Sequence, residues 1–141
     1  MSIRAASQYN KVSTQSGVEQ ANPHQLIQML MAGALEKISI AKGHMERGNI
    51  AEKGRHISWA ITIIGGLQSS LDMEKGGEIA ENLNRLYHYM SSQLLQANLH
   101  NKPEILDEVT LLMKNIKAGW DGISEEAQAI FDGENSATAS T

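Results

Sequence analysis

Five histidines, His24, His44, His56, His88 and His100, are the side chains best placed to bind a metal or move a proton near neutral pH. Their spacing gives them no common task. No two stand four residues apart, the separation that would stack them on one helix face. The di-iron chemistry of helical bundles needs Glu-x-x-His on two helices, and that pattern is absent. The histidines therefore read as solvated or cap-adjacent side chains. No cysteine is present, so there is no thiol nucleophile, thiolate zinc site or disulfide framework. Gly43 to Gly48 has the spacing of half a phosphate loop, but Asn49 stands where the lysine belongs and no strand precedes it. Gly76-Gly77 could offer free N–H groups to an anion, yet a tight interhelical turn explains the pair better. Ser69, Ser70, Ser91 and Ser92 have no evident base and orienting acid. These residues predict no enzyme, no resident metal and no cofactor.

The elements that carry them are helices. Asn22 is a strong N-cap and Pro23 suits a first helical position, where its missing N–H is no loss. From there Ile27, Leu30, Ala34, Ile38, Ala41 and Met45 recur at steps of three and four, one face of a helix. Gly48 reads as a left-handed stop. Asn49, with Glu52 three residues on, resembles a capping box for a second helix. That helix has one stripe through Ile50, Ile57, Ile61, Ile64 and Leu71 and another through Trp59, Ile63 and Leu67. Gly65-Gly66 inside it marks a bend or a close backbone approach. Asp72 to Gly77 reads as a turn. A third helix follows through Ile79, Leu83, Leu86, Met90, Leu94 and Ala97, and Pro103 opens a fourth through Leu106, Val109, Met113, Ile116 and Trp120. Short links imply antiparallel neighbours. The expected fold is all-α, an antiparallel four-helix up-down-type bundle over residues 22–123. An arm, residues 1–21, would lie across it, and residues 124–141 would form a disordered acidic tail.

Composition sets the outer limits. A chain of 141 residues supports one domain with its own core. Net charge is −4, but the first 120 residues hold 12 basic and 11 acidic side chains, so the excess acid sits at the C-terminal end. A nearly neutral body without a basic stripe gives nucleic acid no footing. No apolar run is long enough to cross a membrane, and the N-terminus lacks the apolar core of a secretion signal. A cytosolic location is the expectation.

The second and third helices carry more apolar residues than one bundle seam needs, through Trp59, Ile63, Leu67, Leu95 and Leu99. Either they complete a broad core, or they leave a groove for an amphipathic helix or extended peptide. A groove along these helices is assigned to Ile57, Ile61, Ile64, Leu67, Leu86, Met90 and Leu94. Seven methionines would make such a surface adaptable.

Three stretches resemble the flagellin-specific flagellar export chaperones. The first is Tyr9-x-x-Val12 followed by Asn22-Pro23-His24-Gln25-Leu26-Ile27-Gln28-Met29-Leu30 and Gly33-Ala34. The second is Ile64-x-Gly66-Leu67-x-x-Ser70-Leu71-Asp72. The third and most specific is Gly76-Gly77-Glu78-Ile79-Ala80-x-Asn82-Leu83-x-x-Leu86-Tyr87-x-Tyr89-Met90, with Trp120 closing the fourth helix. The chain departs from the family at Met31-Ala32, where Tyr-Asp is common. The resemblance implies a bundle that binds the disordered C-terminal segment of flagellin in the cytosol. It would block premature polymerisation and present the subunit to a component of the export gate. It also implies that the arm covers part of the groove without a client, with Ile3, Tyr9 and Val12 as anchors. A homodimer of the client-free protein stays open. So does a reading from another class, a self-associating helical scaffold with no export client.

Overall fold

The computed structural model describes residues 22–123. Four helices run in order: α1 (Pro23–Arg47), α2 (Ile50–Ser69), α3 (Met73–His100) and α4 (Pro103–Asp121). Among the described residues there is no strand. Helix α1 packs on α2 and α4, and α3 packs on the same two, so the four close into a square. Cross-links between distant chain positions fix the directions as antiparallel. Lys42 meets Asp107 at 2.8 Å, Gln68 meets Asn84 at 3.0 Å and Gln28 meets Asp121 at 2.7 Å. The expected up-down bundle is the fold.

Local chemistry explains the boundaries. The Asn22 side chain accepts from the Gln25 N–H at 2.8 Å while the Gln25 side chain accepts from the Asn22 N–H at 3.1 Å, a reciprocal box that satisfies two orphan donors. Gly48 ends α1 at φ 77°, a conformation that favours glycine. The expected box at Asn49 does not form, because that side chain makes no cap bond and turns back to His44. Gly65-Gly66 does not interrupt α2, which runs through the pair, and Gly66 is buried. The expected turn from Asp72 to Gly77 is mostly helix instead. Asp72 caps it by accepting from the Glu74 and Lys75 N–H groups, and the irregularity is a kink at Gly77, with φ 51° and ψ −129°. A Cβ on Gly76 would stand 2.6 Å from the Ala80 Cβ, so the chain passes close there.

The core runs the length of the square. From α1 come Leu30, Met31, Ala34, Ile38, Ala41 and Met45, and from α2 Ile57, Ala60, Ile63, Ile64 and Leu67. From α3 come Tyr87, Met90, Leu94 and Ala97, and from α4 Leu106, Val109 and Met113. Each large side chain buried here contributes about 1.5–3 kcal/mol. Ala34, Ala41 and Ala60 are fully buried along α1 and α2, the broadest seam of the bundle, where small side chains let backbones approach.

Candidate partner-binding surface

Polar side chains mark which edge of α3 faces which neighbour. Asn84 takes the Gln68 amide N–H, and the Asn98 carbonyl accepts from Lys53 at 3.1 Å, so this edge faces α2. Lys53 is buried at 6% exposure, and its ammonium also reaches Asn101 Oδ1 at 3.1 Å. A cation there completes the carbonyl end of α3 and complements its dipole. On the other edge Tyr89 donates to the Glu108 carboxylate at 3.1 Å, and Gln93 donates to the same group at 2.9 Å. That bond raises the Tyr89 pKa, because it favours the phenol over the phenolate.

The α2–α3 seam is open and apolar on its outer side. Ile61 is half-buried, and lies seven residues from both Gly54 and Gln68 on α2. A Cβ on Gly54 would lie 3.8 Å from the Asn98 side chain, so this face of α2 looks toward α3. Ile50, Leu95 and Leu99 flank the seam at 75%, 58% and 74% exposure. A recess of about 260 Å³ opens at its end, lined by Met45, Ile50, Lys53 and Leu99 among others. On the α4 side Ile79 and Leu86 are exposed, with Leu112 and Ile116 partly buried on α4. Exposed aliphatic residues in rows, beside polar groups able to trade hydrogen bonds, suit an amphipathic segment.

The groove residues expected from the sequence divide. Leu86 is exposed and Ile61 half-buried, so both are reachable. Ile57, Ile64, Leu67, Met90 and Leu94 have at most 1% exposure and build the core. A helix in a square bundle touches two neighbours, so both stripes of α2 are largely consumed in closing it. Ile63 is buried likewise. Trp59 is exposed on the opposite edge of α2, under the Lys37 ammonium at 3.7 Å from the ring centroid. That contact is a cation–π pair across the α1–α2 seam. Ile50, Leu95 and Leu99 thus hold the surface role better than most of the assigned groove. The arm anchors Ile3, Tyr9 and Val12 lie outside the described residues.

Two of the histidines read as solvated or cap-adjacent are buried, His24 beside the Asn22 cap and His56 within α2. His24 stacks on Trp120 with centroids 4.7 Å apart. His56 packs between His44 and Trp59, its ring 5.3 Å and 6.0 Å from theirs. Helix pairing, which no single-helix spacing reports, creates both environments.

The helical square and its open apolar seam have relatives among known proteins. The profile of the family described as "Flagellar protein FliS" matches residues 5–127. This chain belongs to the FliS family. It is 53% identical over 122 residues to the flagellar secretion chaperone FliSB of Pseudomonas aeruginosa, spanning 86% of this chain and 97% of that protein. It is 47% identical to the flagellar secretion chaperone FliS of Vibrio cholerae, over 84% of this chain and 87% of that protein. It is 48% identical to that of Salmonella typhimurium, over 84% and 89%. FliS is thus a family of secretion chaperones for flagellum assembly. Among the described residues no helix is long and apolar enough to cross a membrane.

Proposed function

We propose that this FliS-family protein is a cytosolic export chaperone that binds the disordered C-terminal segment of flagellin. It prevents premature polymerisation and delivers the subunit to a component of the flagellar export gate. The observation that carries this reading is the open apolar seam between α2 and α3 on a bundle whose relatives are named flagellar secretion chaperones. A client that orders on binding loses several kcal/mol of conformational free energy, and burying roughly 1,000–3,000 Å² offsets that loss. Rows of aliphatic side chains along two seams of α3 supply part of such an area. Leu86 and Ile61, from the groove read in the sequence, lie within reach of a client placed there. The arm, with Ile3, Tyr9 and Val12, covers part of the surface when no client is present.

Calorimetry with a peptide of the flagellin C-terminal segment tests the proposal. Saturable binding at one peptide per chain, with a negative heat-capacity change, is the expected result. No binding, together with an oligomer unaltered by the peptide, would reject it in favour of a self-associating scaffold.

A further inference from the structure

The geometry points to a binding site for a divalent transition-metal ion at His44, Glu52 and His56, where the end of α1 meets the start of α2. One ligand atom from each residue lies within 4.8 Å of the other two. Nothing in the chaperone reading requires such a site, and it stands on separate observations.

His44 lies in the last turn of α1, and Glu52 and His56 lie one turn apart on α2. The left-handed Gly48 and then Asn49 link the two helices, so the hairpin holds the three side chains together without a metal. The tautomer of His56 is set by its surroundings. Its Nδ1 lies 2.8 Å from the Glu52 main-chain carbonyl oxygen, which can only accept, so Nδ1 carries the proton. That leaves Nε2 with a bare lone pair, the arrangement in which histidines usually ligate metals. The Asn49 side-chain amide sits 3.1 Å from His44 Nδ1. The Arg47 guanidinium, which can only donate, lies 3.5 Å from the same nitrogen. His44 Nδ1 therefore holds the lone pair and is the ligand atom, its two donors turning out to solvent as the ion enters.

Two imidazoles and a carboxylate suit borderline ions such as Zn²⁺, Ni²⁺ and Cu²⁺. Bonds near 2.0–2.1 Å hold tetrahedral ligands about 3.3 Å apart. The Glu52 carboxylate now lies 3.7 Å from His56 Nδ1, so this half-exposed side chain must swing toward Nε2 as the site closes. The Glu52 carboxylate, paired with Arg55 at 2.8 Å through Oε2, exchanges the guanidinium for the ion. Water takes the fourth position. The bound ion would staple α1 to α2 at the mouth of the recess that His44 also lines.

Trp59 is a built-in reporter, since its ring lies 6.0 Å from that of His56. The second tryptophan, Trp120, stacks on His24, twenty residues and about 30 Å along the helix from His44. In a Trp120→Phe background, Cu²⁺ should quench Trp59 saturably, and stripping the ion with EDTA should restore the emission. His44→Gln, His56→Gln and Glu52→Gln should each weaken Cu²⁺ binding at least about tenfold, while His100→Gln leaves it unchanged. In a Trp59→Phe background Trp120 emission should not respond. The half-exposed Glu52 guards against a variant that merely misfolds, as circular dichroism will show. Quenching that persists unaltered in Glu52→Gln and His44→Gln, or that EDTA fails to reverse, would overturn the site.

Discussion

Trp120 donates its indole N–H to the His24 main-chain carbonyl at 3.0 Å, across 96 residues of sequence. The rings of the same two residues stack, and beside them Asp121 accepts from both Gln28 and Lys117 at 2.7 Å. The first turn of the first helix is thereby tied to the last turn of the fourth. Lys117 and Gln28 hold the Asp121 carboxyl below its ordinary pKa, since both favour the ionised form.

Trp120→Phe keeps an aromatic ring against His24 and removes the indole donor. The expected loss is about 1 kcal/mol, the net worth of one hydrogen bond. Trp120→Ala removes the stack and the packing as well, and should cost about 3 kcal/mol. Urea unfolding followed by circular dichroism measures both. Equal losses for the two variants would mean that the hydrogen bond alone matters.

Leu95 and Leu99 should separate client binding from folding. Both are exposed at the α2–α3 seam, so Leu95→Asp with Leu99→Asp should shift the melting temperature by only a few degrees. The same pair should weaken binding of a flagellin C-terminal peptide at least about tenfold, or 1.4 kcal/mol. Leu111→Asp is the control, since Leu111 is 61% exposed on α4, away from the core-facing Leu106, Val109 and Met113. Equal losses of affinity for control and test would place the client elsewhere.

Tyr87 sets the alkaline limit of the fold. Burial pushes its phenol up to about 12, while an unfolded tyrosine ionises near 10. A pKa raised in the folded state gives stability that is fully present below the unfolded value. It is lost as pH climbs from about 10 through about 12, because only the unfolded chain releases the proton early. Stability against urea should fall over that window, and Tyr87→Phe should flatten the fall. An unchanged slope in Tyr87→Phe would assign the loss to other groups.

The helices were legible because the period of three and four survives in every segment. Leu30, Ala34, Ile38, Ala41 and Met45, read as one stripe, are all buried. The surface was harder to read, and the reason is geometric. Periodicity gives the direction of an apolar arc and says nothing of how many neighbours will cover it. Ile63 and Leu67 therefore looked like surplus and proved to be core. Ile61 and Leu86 sit toward the edges of their arcs and remain reachable. Lys53 gave no sign of burial, since the carbonyl it caps belongs to a helix 45 residues further on. The pairing of His44 with His56 depends on how the α1–α2 link folds back, and their separation in sequence matches no familiar motif.

Helix α3 meets α2 through Gln68–Asn84 and Lys53–Asn98, and meets α4 through Tyr89 and Gln93 on Glu108. Such contacts can be handed from one partner to the next with little change in free energy, whereas the join of α1 to α2 is lined by the buried Ala34, Ala41 and Ala60 and packs backbone close to backbone. On the proposed reading, one half of the molecule is a fixed wall and the other a latch. An incoming chain could ease the latch a little at a time, with no stage at which oily surface stands bare in water.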